Sequence, residues 1–148
     1  MMTDDINTAN LTVRQPGLKP GGEVGGVDRK ILILVVEKDP FLADLERYFL
    51  EQQGFSVEFC GDGLQALKRT QEIHPDLVIA EILLPGLDGL TFCRRIKSDP
   101  EIAATIVLIF SAIMARERSM EAGADAFLLK PFEEKRLLDT IKTLLKLT

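Results

Sequence analysis

Pro75-Asp76-Leu77-Val78-Ile79-Ala80-Glu81-Ile82-Leu83-Leu84-Pro85-Gly86-Leu87-Asp88-Gly89 decides how this chain folds. Residues 77–80 are a short apolar run with a β-branched pair, which suits a strand covered on both faces of a parallel sheet. The run stops at a charge, Glu81, and Pro85-Gly86 and Asp88-Gly89 then mark a turn. A carboxylate therefore stands where a buried strand gives way to a loop. Open α/β sheets bind ligands at that edge, outside the carboxyl ends of their strands. Glu81 and its neighbours are the first candidates for a site.

The same pattern repeats on both sides. Residues 31–36 are a continuous apolar run that ends at Glu37-Lys38-Asp39-Pro40. Asp39 before Pro40 reads as an N-cap followed by the first helical position. Leu42, Leu45 and Phe49 recur at helical spacing until Gly54 stops the helix. Residues 55–60 alternate like a strand near an edge. Asp62 caps a second helix with Leu64, Leu67 and Ile73 inward. A short helix spans 89–97. Residues 105–110 form a strand ending at Ser111, and 114–122 a helix closed by Gly123. Residues 125–129 form a strand ending at Lys130-Pro131, and 133–147 a helix with Leu137, Ile141 and Leu144 inward. Five β–α units in strict alternation require a doubly wound parallel α/β sheet with helices on both faces. Glu37, Lys38, Glu81, Ser111 and Lys130 all fall at the carboxyl edge, which marks that edge as the site.

Composition narrows the function. The 148 residues carry a net charge of −5, so nothing points to a nucleic-acid backbone binder. Cys60 and Cys93 fit no metal spacing and read as buried thiols of a reducing compartment. There is no secretory signal pattern and no stretch of about 20 apolar residues, so a cytoplasmic protein without membrane contact is expected. Residues 1–28 are polar, rich in glycine and without periodicity. They read as a flexible N-terminal tail ahead of one domain over 29–148. The Gly-Gly-Glu-Val-Gly-Gly run precedes the first strand, where a nucleotide loop would follow it. Arg116-Glu117-Arg118 reads as a solvated helix face, and His74, at a helix end before Pro75, as exposed.

The pieces I-L-I-L-V-V-E-K-D-P, P-D-L-V-I-A-E-I-L-L-P-G-L-D-G, V-L-I-F-S-A and A-G-A-D-A-F-L-L-K-P-F, in this order, resemble the response-regulator receiver domain of two-component signalling. The resemblance covers about 30–146. It implies a flavodoxin-like fold with five strands in the order 2-1-3-4-5. It also implies a phosphoacceptor Asp after the third strand, two Mg²⁺-holding acids after the first, a Ser or Thr after the fourth and a Lys after the fifth. Carried over, these positions are Glu81, the pair Glu37 and Lys38, Ser111 and Lys130. Phe127 matches the aromatic residue that changes rotamer with activation. The bond before Pro131 is often cis in the family, which would aim Lys130 into the site.

Two positions depart from that pattern. Glu81 replaces the acceptor Asp, and Lys38 reverses the charge of a metal acid. The segment from Ser111 to Lys130 is also a few residues short. Glu37 and Glu81 set against Lys38 and Lys130 sum to zero, so the Mg²⁺ site is expected to be lost and no cofactor is expected. Glu81, one methylene longer than Asp, reaches toward Ser111 and Lys130 as a partial imitation of a phosphorylated acceptor. Whether it holds an activated form or is inert stays open.

The expected function is a non-enzymatic receiver-like signalling module, a pseudo-receiver that works by protein–protein interaction without aspartyl phosphorylation. Its partners would be signalling proteins such as a histidine kinase or an effector, or a second copy. The contact would lie on 114–147, the helix, strand and last helix that form the family's usual partner face. No effector segment follows Thr148, so output is expected to pass through another protein or a larger one. The alternative is a phosphorylatable receiver that accepts a phosphoryl group from a histidine kinase. A third reading, a flavin or nucleotide binder, lacks the hydroxyl- or glycine-rich loop it needs after the first strand.

Overall fold

A computed structural model describes residues 12–14, 28–131 and 133–147. In chain order the elements are β1 (Thr12–Arg14), β2 (Asp28–Lys30), β3 (Leu32–Val36), α1 (Pro40–Gln52), β4 (Ser56–Cys60), α2 (Gly63–Ile73), β5 (Leu77–Ala80), α3 (Gly89–Ser98), β6 (Ile106–Ser111), α4 (Arg116–Glu121), β7 (Ala126–Leu129) and α5 (Glu134–Leu144). Strands β3 to β7 form one parallel sheet in the order β4-β3-β5-β6-β7. Counted from β3, that is the expected 2-1-3-4-5 of a flavodoxin-like fold. The expected tail over 1–28 lies largely outside the described residues. Within it, β1 pairs antiparallel with β2, Thr12 opposite Lys30.

The period-two geometry of the strands splits the core into two layers. Leu34, Val36, Val78, Ala80, Val107 and Ile109 face one side, with Leu67, Leu90, Phe92 and Ile96 packed over them. Ile33, Val35, Leu77, Ile79, Leu108 and Phe110 face the other, under Leu50, Leu137 and Ile141. Both faces of the central strands are thus dry, which explains the unbroken apolar runs.

Three aspartates fix where helices begin. Asp39 accepts from Phe41 N–H, Asp62 from Leu64 and Gln65 N–H, and Asp88 from Leu90 and Thr91 N–H. Each such cap stabilises its helix by about 0.5–2 kcal/mol. Since each helix follows a strand, the caps also set the loops at the carboxyl edge. Gly89 is needed at one of them: a Cβ there would lie 2.1 Å from the Glu81 carbonyl oxygen.

Several expectations need correction. Leu64 is 55 % exposed, because it sits in the first turn of α2, where the helix leaves the sheet layer. Leu42, Leu45 and Phe49 are only half-buried, and the inward face of α1 centres instead on Glu46 and Leu50. Helix α4 begins at Arg116 and leaves Met114 exposed. Helix α5 stops at Leu144, where Leu147 N–H bonds back to the Lys142 carbonyl to close the last turn. Cys60 and Cys93 are free thiols, half-buried and buried. Burial pushes the Cys93 thiol up to about 11. His74 is exposed, at the left-handed C-cap of α2.

At the amino edge, Arg29 of β2 grips Asp76 through two bonds of 2.7 Å, and Asp76 also accepts from Leu32 N–H at 2.8 Å. Asp76 is 7 % exposed, so its loss would strand a half-buried guanidinium partner and a backbone donor. Asp76→Asn is expected to lower unfolding stability by about 1–3 kcal/mol, read as a lower urea midpoint at unchanged slope.

Candidate functional site

The carboxyl edge of the sheet gathers the residues that the sequence singled out. Glu37 follows β3, with its N–H held by the Cys60 carbonyl at 3.0 Å. Glu81 follows β5, with its N–H on the Val36 carbonyl at 3.1 Å. Ser111 ends β6, and Lys130 follows β7 with its N–H on the Ser111 carbonyl at 2.8 Å. The backbone ladder alone therefore sets these four side chains side by side. Glu37, Glu81 and Ser111 are 7 %, 5 % and 0 % exposed.

One ammonium organises them. Lys130 Nζ donates to Glu37 Oε1 at 2.7 Å and to Glu81 Oε1 at 2.8 Å. The Lys130–Pro131 peptide is cis. The other oxygen of Glu81 accepts from the Ser111 hydroxyl, from Ile82 N–H at 2.6 Å and from Leu83 N–H at 3.2 Å. The other oxygen of Glu37 accepts from Asp39 N–H at 3.1 Å. Burial pushes the Glu81 carboxyl up, but the bonds from Lys130 and Ser111 outweigh it and hold the group below its ordinary 4.5. Burial likewise pulls Lys130 down, and its bonds to Glu37 and Glu81 win and hold it above the usual lysine value.

Lys38 is not part of this cluster. It is exposed, and its ammonium pairs with no described residue. The expected balance of two acids against two lysines is therefore not met: Lys130 alone faces Glu37 and Glu81, and the cluster carries a formal charge of −1. Asp39 is spent on capping α1. Phe127 is 2 % exposed, with the Arg116 guanidinium 5.5 Å from its ring centroid.

The donor set can be tested for a divalent cation. Such a site needs several oxygens free to converge. Here each oxygen of Glu37 and Glu81 already faces an N–H or O–H donor of the fold, and an ammonium lies between the two carboxylates. The residues present do not fit Mg²⁺ in this arrangement.

Sequence reading missed one residue. Glu46, on the inward face of α1, is 1 % exposed, and neither of its oxygens has a hydrogen-bond partner among the described residues. Burial first, and then the negative charge of Glu37, push its carboxyl up to about 8; Lys130 opposes this and Glu81 adds to it. One signal pointed there. Glu46 is four residues from Leu42 and four from Leu50, so it shares their helix face. A second feature is a groove of about 570 Å³ on the partner face expected over 114–147, lined by Met114, Arg116, Leu129, Arg136 and Leu137 among others.

Residues 33–142 match the family described as the response regulator receiver domain. The chain is 34 % identical over 114 residues to the DNA-binding response regulator MtrA of Mycolicibacterium smegmatis, covering 77 % of this chain and 50 % of that protein. It thus spans about half the length of the curated relatives it matches. Among solved structures it is similar to the signal receiver domain of a signal transduction histidine kinase from Syntrophus aciditrophicus, at TM-score 0.73 and 33 % identity over 78 % of this chain and 89 % of that one. It is also similar to the receiver domain of the sensor histidine kinase PA1611 from Pseudomonas aeruginosa PAO1, solved with a magnesium ion coordinated in its active-site cleft. That match has TM-score 0.73 and 25 % identity over 80 % and 99 % of the two chains. The chain belongs to the response regulator receiver domain family, a signalling fold of two-component systems. Among the described residues no helix is long and apolar enough to cross a membrane.

Removing the shared cation tests this geometry. Lys130→Met leaves two buried carboxylates facing each other and is expected to cost about 3–5 kcal/mol at neutral pH. The pH dependence should change sign with it. In the wild type Glu81 is held below 4.5, so its contribution is present above that pH and is lost as pH falls through the folded value. In Lys130→Met only the Ser111 hydroxyl and the backbone N–H groups still oppose burial of Glu81, its folded carboxyl holds its proton to higher pH, and acidification should stabilise. Urea midpoints between pH 3 and 7 check both slopes.

Proposed function

We propose that this receiver domain signals through protein contacts without accepting a phosphoryl group. One observation carries the reading: the Glu81 carboxylate holds Ser111 and Lys130 together, the two side chains that would contact a phosphoryl group on an aspartate. The extra methylene of Glu brings the carboxylate out to them. Ser111 is tied to Glu81 and the Phe127 ring is packed inward, which supports reading both positions as held in one form. On this reading Glu81 holds the fold in one output form, and control lies in the availability of partners.

The chemistry agrees with that reading. Phosphoryl transfer depends almost wholly on positioning and on metal-assisted charge stabilisation. Here the ammonium occupies the space between the acids, and the acceptor's oxygens are engaged. A displacement near 1 Å can alone cost about 10²-fold in rate. Millimolar Mg²⁺ should then leave the melting temperature unchanged. We place the partner contact on α4, β7 and α5, at the groove where Met114 is 68 % and Leu129 41 % exposed. The occupant would be an effector, a kinase or a second copy.

The deciding experiment is incubation with acetyl phosphate and Mg²⁺, read by intact mass. Wild type, Glu81→Asp and Lys38→Asp should stay unlabelled. The first single change restores acceptor length without a second metal acid, and the other restores the acid behind a misplaced acceptor. The double change should show a Mg²⁺-dependent aspartyl phosphate. Robust labelling of the wild type at Glu81 would overturn the reading. A silent double variant would assign the block to the short 111–130 segment.

A further inference from the structure

The groove on α4, β7 and α5 carries more than an apolar contact needs. Phe110, Leu128 and Leu137 line it and are buried, while Met114 and Leu129 line it and are exposed. Two guanidiniums join them, Arg116 at the start of α4 and Arg136 in the first turn of α5. Both are exposed, and neither forms an ion pair with a described residue. Of the other charged groups in the lining, Lys130 is taken by Glu37 and Glu81, and Glu133 is the single described acid. Two guanidiniums against one carboxylate leave the groove cationic, on a chain whose net charge is −5. Arginine is the side chain best shaped to grip a carboxylate through two parallel bonds.

The backbone supplies a second kind of contact. Strand β7 is the last strand of the sheet. Lys130 N–H donates to the Ser111 carbonyl, and the register sets Ser111 opposite Leu129. Bonding alternates along a ladder, so Leu128 and Lys130 turn their backbone groups to β6, and Leu129 turns its N–H and C=O to the open edge. Neither group has a partner among the described residues. The opposite edge strand, β4, carries Glu58 tied to Arg69, and such charges discourage pairing; β7, Ala-Phe-Leu-Leu, carries none. A small anion could meet the two arginines, but only a peptide offers Leu129 a donor and an acceptor together.

We propose that the occupant of this groove is an extended acidic–apolar peptide segment of a partner protein: its backbone pairs with Leu129, its carboxylates meet Arg116 and Arg136, and an apolar side chain between them covers Met114 and Leu137. This rests on the reading above that places the partner contact here, and it adds the chemistry by which the partner is chosen. Charges at the rim of an interface set preference more than affinity. The signature of this site is therefore discrimination between peptides of opposite charge.

The test titrates the full chain with three acetylated peptides, followed by the amide signals of Leu129 and Arg136. The first has aspartates on either side of a valine–leucine centre. The second has lysines in their place, and the third is the first with its central backbone nitrogens methylated. The aspartate peptide should shift both signals saturably. The lysine peptide should bind about tenfold more weakly, and the methylated one should lose the Leu129 shift. In Arg136→Glu, an exposed position outside the buried cluster, the preference for aspartate should vanish. Absence of binding, equal binding of the two charged peptides, shifts confined to another face, or a preference that survives Arg136→Glu would overturn the proposal. So would a Leu129 signal that moves with protein concentration while the molecular mass doubles, because the occupant is then a second copy. Labelling by acetyl phosphate separates the two readings. A wild type that is labelled yet prefers the aspartate peptide keeps the groove and loses the phosphate-independent reading. An unlabelled wild type indifferent to peptide charge loses only the groove.

Discussion

The sharing of one ammonium between Glu37 and Glu81 is the constraint on which the carboxyl edge depends. Two carboxylates this deeply buried cannot face each other ionised, since desolvation costs several kcal/mol per ion before any repulsion is counted. Something positive must lie between them. Lys130 reaches that place from β7, 93 residues from Glu37 and 49 from Glu81 in sequence. Strand β6 separates β5 from β7 in the sheet, so the lysine passes Ser111 to reach Glu81. The ammonium can span the gap only if the ends of β3, β5, β6 and β7 lie level. The interaction therefore fixes register across most of the sheet as well as charge.

Replacing an acceptor aspartate by Glu81 changes which atoms meet. A shorter acid would leave room for a further group between itself and Ser111. Glu81 fills that room with its own carboxylate and collects a hydroxyl, two backbone N–H groups and the ammonium. Charge-assisted bonds of this kind are roughly twice as strong as neutral ones. The same four contacts fix both oxygens of Glu81 in place. An acid held this well in the interior is a structural cation partner first.

The five strands and the composition of the edge were legible because four of the strand runs stop abruptly at a polar residue, while the sheet order followed from the resemblance to the receiver family. Leu77–Ala80 before Glu81 is the clearest case, and Asp39-Pro40 marked the start of α1 to the residue. What was not legible was direction around a helix or about a bond. Lys38 counts as a site charge in one dimension but is exposed, because β3 has ended at Val36 and the chain bends at Lys38 before Asp39 starts α1. Leu64 reads as core by spacing, yet it lies above the end of the sheet. Glu46 reads as solvent face by residue type, and only the packing of α1 over the Val35 face of the sheet shows it inside. Sequence spacing locates residues along an element; which of two adjacent helix stripes turns inward depends on the neighbours' volumes.

Glu46 then follows from counting donors. Lys130 cancels one charge of the Glu37–Glu81 pair, and the remaining charge is spread over the N–H groups of Asp39, Ile82 and Leu83 and the Ser111 hydroxyl. Together with the ammonium, these donors serve four carboxylate oxygens, and each oxygen receives at least one. None of them reaches Glu46, whose two buried oxygens have no partner among the described residues. Burial without a donor is what pushes that carboxyl up to about 8, with the negative charge of Glu37 adding to it. The contrast between Glu81 and Glu46 is thus one of donors: equally buried acids differ in the protons they keep according to the N–H and O–H groups the fold turns toward them.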